Sequence, residues 1–91
     1  MNLYQRPAFA RAIKKRPVAE QEQIRQRARR VAEVMGNPHA HSGLGLRPFG
    51  QYFEFRVGLR TRCLFLLEGG DMHLVIVGTH DELSACIRNN G

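Results

Sequence analysis

The chain is predicted to form an α+β domain: an N-terminal helical hairpin packed on a mainly antiparallel, twisted sheet of three to four strands, closed by a short C-terminal helix. Three observations carry this. Apolar side chains recur at helical spacing up to about Met35, residues 51–78 alternate apolar and polar, and "THDE" at 79–82 reads as a helix start. At 91 residues the chain fits one domain, residues 1–91, with a single modest core.

A short opening strand over Asn2–Gln5 is weakly signalled. Pro7 suits the first turn of a helix, whose inner stripe is Phe9, Ala10 and Ile13. "KKR" at 14–16 places positive charge at the C-terminal end of its dipole, and Pro17 stops this helix and starts the next. In the second helix Ile24, Ala28, Val31 and Met35 fall at i, i+4, i+7 and i+11, one apolar stripe. Arg25, Arg27, Arg29 and Arg30, with Glu20, Glu22 and Glu33, form its solvated face. Gly36-Asn37-Pro38 ends it, and residues 37–50 are expected to be loop.

Three strands follow, about 51–57, 61–67 and 72–78. Gly58-Leu59-Arg60 and Gly69-Gly70 are the turns. Pairing Val57 with Thr61 sets Phe55 opposite Cys63 and Phe53 opposite Phe65 on the core face. Pairing Leu67 with Met72 sets Phe65 opposite Leu74 and Cys63 opposite Ile76. The other face then carries Tyr52, Glu54, Arg56, Arg62, His73, Val75, Val77 and Thr79, with Val77 beside Arg62. Thr79 and Glu82 form a capping box, so a helix starts at His80 with Leu83 and Ile87 as its apolar pair.

Composition narrows the function. A net charge of +6 and a pI of about 10.4 suit a polyanionic partner. No apolar run approaches the roughly 20 residues of a membrane helix, and "MNLYQRPAFARAIKKRP" lacks a signal-peptide core, so a cytosolic protein without a membrane partner is expected. Cys63 and Cys86 are expected to be reduced and inert. "HAH" at 39–41 lacks an accompanying CxxC or HExxH pattern and is read as polar loop; no metal and no cofactor is expected.

Arg56 opposite Arg62 is a repulsive cross-strand pair that arginine does not relieve by deprotonation. Glu54, diagonal to Arg62, offsets part of it. Two solvated surface arginines explain this as well as a pair held for an anion such as phosphate does. The strand end favours the anion: His80 sits beside the free amides of a helix N-terminus, at the Arg60/Arg62 end of the sheet. Glu54, Arg56, Arg62 and His80 together supply what metal-free RNA cleavage needs. Glu54 would be the base that takes the 2′-hydroxyl proton, the arginines would balance the phosphorane charge, and His80 would be the acid. Tyr52 would stack a base. Arg60, His73 and Arg47 complete the expected substrate-binding set.

The pieces "YFEFRVG.RTRCLF" and "VGTHDE", preceded by two basic helices, resemble the RelE/ParE superfamily of toxins from type II toxin–antitoxin systems. The resemblance covers nearly the whole chain. In the RelE branch it implies cleavage of messenger RNA, commonly in the ribosomal A site, with Glu54, Arg56, Arg62 and His80 at the branch's site positions. It also implies a cognate antitoxin whose C-terminal part wraps the toxin and, given the +6 charge, is acidic. The last segment, "DELSACIRNNG", lacks the aromatic residue many RelE-type nucleases carry there and holds one basic residue, Arg88. Two other readings therefore stay open: a ParE-like inhibitor of DNA gyrase, and a relative that binds antitoxin or RNA without cleaving. His39 and His41 are reserve site residues.

Overall fold

Residues 1–35 and 44–90 are described in the computed structural model. The elements are β1 (Leu3–Gln5), α1 (Pro7–Lys14), α2 (Val18–Val34), β2 (Arg47–Phe49), β3 (Tyr52–Val57), β4 (Thr61–Glu68), β5 (Asp71–Gly78) and α3 (His80–Asn90). They build one sheet of order β1-β5-β4-β3-β2. β1 joins β5 in parallel, and the other pairings are antiparallel.

α1 and α2 cover one face of this sheet, α1 on β5 and α2 on β3. Phe9 and Ile13 from α1, and Ile24, Ala28, Val31 and Val34 from α2, are buried against Phe55, Cys63, Phe65, Met72, Leu74 and Val77. Each large apolar side chain so buried contributes about 1.5–3 kcal/mol. Met35, the last member of the expected stripe, packs against this core only partly buried, and Val34 is the residue that enters it. Burial pushes the Cys63 thiol up, which keeps it inert.

The sheet has five strands, more than the three to four expected. The weak N-terminal signal is a real edge strand, and the "RPF" segment, read as loop, pairs with β3. The β3–β4 register is the expected one, with Phe55 on Cys63, Phe53 on Phe65 and Arg56 on Arg62. The β4–β5 register is as expected only near the turn, where Leu67 pairs with Met72 and Phe65 with Leu74. A bulge between Leu64 and Phe65 then shifts it by one residue, so that Cys63 faces Val77 and Leu64 faces Ile76. Val77 therefore lies in the core and not beside Arg62. Gly78 takes the place opposite Arg62.

α3 packs on β4 and β5 over the second face. Leu64 and Leu83 are buried there, outside the main cluster. Gly50, in the β2–β3 turn, lies near the Ile87 side chain, so α3 reaches across toward β2. The capping box forms as expected: the Thr79 amide donates to Glu82 Oε1 at 2.9 Å, and the Glu82 amide donates to Thr79 Oγ1 at 3.2 Å. The Gly36-Asn37-Pro38 stop signal, His39 and His41 lie outside the described residues.

Candidate functional site

Three strands place a charged ladder on the α3 side of the sheet. Glu54 pairs with Arg47 across β2–β3 and with Leu64 across β3–β4, which sets Arg62 diagonal to it. Glu54 Oε1 accepts from Arg47 Nε and, at 3.0 Å, from Arg62 Nη1. Glu54 is fully buried, while the Arg62 and Arg47 side chains are 22% and 53% exposed. Its second oxygen, Oε2, is buried without a hydrogen-bond partner. The carboxylate is thus a clamp between two arginines, closed off from solvent. A general base must come within about 3 Å of the proton it removes, and Glu54 is instead turned onto Arg47 and Arg62 with no surface exposed.

Arg62 projects from the clamp into an open depression of about 240 Å³, shared with Leu59, Arg60, Thr79, His80 and Asp81. His80 is exposed at the first position of α3 and meets Phe49 of β2 edge-on, ring centroids 5.4 Å apart. The capping box fixes this helix start. The Thr79 amide, and behind it the charges of Arg16 and Lys15, hold the Glu82 carboxyl below its usual range. Gly78 belongs to the same device, because a Cβ there would lie 3.0 Å from the Glu82 carboxyl group. The shifted register also sets this glycine opposite Arg62, so no side chain crowds the guanidinium from β5.

The expected site residues thus fall into separate groups. Arg62, His80 and Arg60 share the depression. Glu54 and Arg47 stand behind it as the clamp. Arg56 pairs with Arg62 through the backbone, but its side chain lies along Gly45 and lines a hollow with Arg27 and Gly58. Tyr52 pairs with Phe49 at the other end of β3. His73 stacks on Tyr4 at the β1 side, centroids 5.2 Å apart. His73 faces Leu66, four residues along β4 from Arg62 and so about 13 Å away. Sequence reasoning placed Thr79 on this face and at the helix cap, and did not single out Asp81, Phe49 or Leu59 as neighbours of the site. Among the described residues no group of His, Cys, Asp and Glu is placed to hold a metal, and no helix is long and apolar enough to cross a membrane.

No protein-family model matches the chain, and no curated protein matches it. Solved structures do. The RelE chain of a RelB–RelE antitoxin–toxin complex from Methanococcus jannaschii superposes with a TM-score of 0.64 at 14% identity, over 91% of this chain and 96% of that one. A YoeB/ParE toxin from Agrobacterium tumefaciens gives 0.66 at 19%, over 88% and 99%. YafQ from Escherichia coli gives 0.61 at 11%, over 90% and 96%.

The chain has the RelE/ParE toxin fold. Within that fold the clamp, the depression and the helix cap adjoin on the α3 side of the sheet.

Proposed function

We propose that this protein is the toxin of a type II toxin–antitoxin system and that it cleaves messenger RNA on the ribosome without a metal ion. The observation that carries this reading is the depression in which Arg60, Arg62 and His80 converge, with Arg62 fixed from behind by buried Glu54. A phosphodiester seated there meets two guanidiniums, which bind phosphate in a fixed fork geometry. The 2′-oxygen attacks phosphorus as its proton passes to water, the bond to the 5′-oxygen breaks as His80 protonates that oxygen, and a 2′,3′-cyclic phosphate and a 5′-hydroxyl result. His80 is the exposed imidazole in reach of such a phosphate and serves as the proton-transfer group. Arg62 and Arg60 balance the charge that builds on the phosphorane. Glu54, buried as it is, acts as a positioning residue through Arg62 and Arg47 in place of the base the sequence suggested.

The net charge of +6 supports an acidic antitoxin segment as the neutralising partner. The burial of Glu54 also favours a second reading, a ParE-like inhibitor that acts by binding a protein such as gyrase and needs no acid–base pair. Controlled expression in bacteria with mapping of transcript 5′ ends separates the two. Cuts within coding regions that disappear with His80→Ala support the nuclease. Growth arrest with intact transcripts and a DNA-damage response supports the inhibitor and overturns the nuclease.

A further inference from the structure

Arg56 poses a question that the depression does not answer. It is exposed and, within the described residues, makes no ion pair, whereas its cross-strand neighbour Arg62 is clamped. Its shaft lies against Gly45, where an added Cβ would come within 2.9 Å of Arg56 Cβ and 3.1 Å of its Nε. Gly45 also has a φ of +62°, a conformation that favours glycine. The Arg56 amide donates to the Leu44 carbonyl, which ties this segment to β3. Arg56 thus lines a hollow with Arg27 of α2, and the depression that holds His80 is lined without it.

On the α2 side two hollows of about 560 and 480 Å³ adjoin, sharing Arg27 and Gly58. Gln23, Arg27 and Arg30 line them from one polar stripe of α2, at i, i+4 and i+7, and Arg56 faces them from β3. Consecutive residues of the β3–β4 turn line both hollows: Gly58 lines this cleft, and Leu59 and Arg60 line the depression. Leu59, at the turn between them, is 94% exposed.

We propose that the Arg27–Arg30–Arg56 cleft is a second phosphate subsite for single-stranded RNA. Resting on the reading that the depression holds the scissile phosphate, it takes the backbone of the same strand some nucleotides away, after the strand has crossed the turn over Leu59. Guanidiniums and side-chain amides with no base-reading pocket give grip without sequence preference. An acidic peptide is the other polyanion that fits three arginines. The turn decides for RNA, because a single flexible polyanion with a phosphate at every residue satisfies both hollows at once.

The test measures binding and not cleavage. Anisotropy of a labelled short single-stranded RNA is followed against salt, in a His80→Ala background that keeps the strand intact. Arg56→Ala and Arg30→Ala each reduce the slope of log K on log salt by about 0.7, and weaken all sequences alike. Arg11→Ala, which removes the same charge from exposed α1 outside the cleft, leaves the slope unchanged. Because these arginines are exposed, melting curves should stay at the parent value. An unchanged slope in Arg56→Ala, an equal loss in Arg11→Ala, or no RNA binding by the parent overturns the subsite. Loss of polyglutamate binding with RNA binding intact also overturns it and assigns the cleft to a protein. If the slope falls while the wild-type protein leaves transcripts whole, the subsite stands and the nuclease reading fails.

Discussion

The two faces of the β3–β4 hairpin are made of alternating residues of the same strands, and they are held by different physics. One face buries Phe55, Cys63 and Phe65 under two helices. The other buries Glu54 between Arg47 and Arg62. The apolar face gains from every square ångström removed from water and tolerates any side chain of similar shape. The charged face gains little net stability, because taking ions out of water costs about what their attraction returns. An ion cluster that contributes little to stability but fixes an arginine at the rim of an open depression is best explained by what that arginine does.

Four changes break or sharpen this contrast. The largest effect on stability is expected on the apolar face: Phe65→Ala should cost about 3–5 kcal/mol, read as a shift in the denaturation midpoint. Next is His80→Ala, which should leave the melting temperature within a degree or so of wild type and lower the cleavage rate by about 10²–10⁴-fold. Glu54→Met tests the charged face. It leaves Arg47 and Arg62 without their shared anion, and because both guanidiniums reach solvent it should cost about 1–3 kcal/mol, less than breaking a fully buried pair, and leave the protein folded. Cleavage should fall as well, because Arg62 loses its anchor, and a variant that is both folded and fully active would remove the positioning role. Thr79→Ala should cost about 1 kcal/mol through loss of the helix cap.

The smallest expected effect is one of pH. The Glu82 carboxyl is held below its usual range, chiefly by the Thr79 amide, so its cap is fully present above the unfolded carboxylate value of about 4.3. That contribution is lost as pH falls through the lower folded value. Protection factors of the first-turn amides of α3, taken relative to the intrinsic exchange rate at each pH, should therefore fall on acidification in the wild type and show no such transition in Glu82→Gln.

Much of this was legible in the sequence because it is local. The stripe from Ile24 to Val31 and the Thr79–Glu82 box are set by residues three and four apart, and the β3–β4 register follows from one turn and strict alternation. What the sequence did not disclose depends on distant parts of the chain. The bulge that moves Val77 into the core leaves no mark in an unbroken run of β-branched and aliphatic residues. "RPF" becomes a strand only because β3 has an edge to offer it. The burial of Glu54 goes with the two arginines that close on it, one of them from β2, and alternation alone placed that residue in solvent. Likewise the Cα pairing of Arg56 with Arg62 was foreseen, while the divergence of their side chains depends on Gly45, which precedes the hairpin in the chain.

The chemistry of the RNA ends left on a translated messenger is the most direct measurement to make. Purified protein is added to ribosomes translating a defined transcript, and the fragments are characterised at both termini. Attack by the 2′-hydroxyl within the Arg60–Arg62–His80 depression predicts 2′,3′-cyclic phosphates and 5′-hydroxyls, present with wild type and lost with His80→Ala. Messenger left whole by folded wild-type protein, or cut equally by His80→Ala, would contradict it.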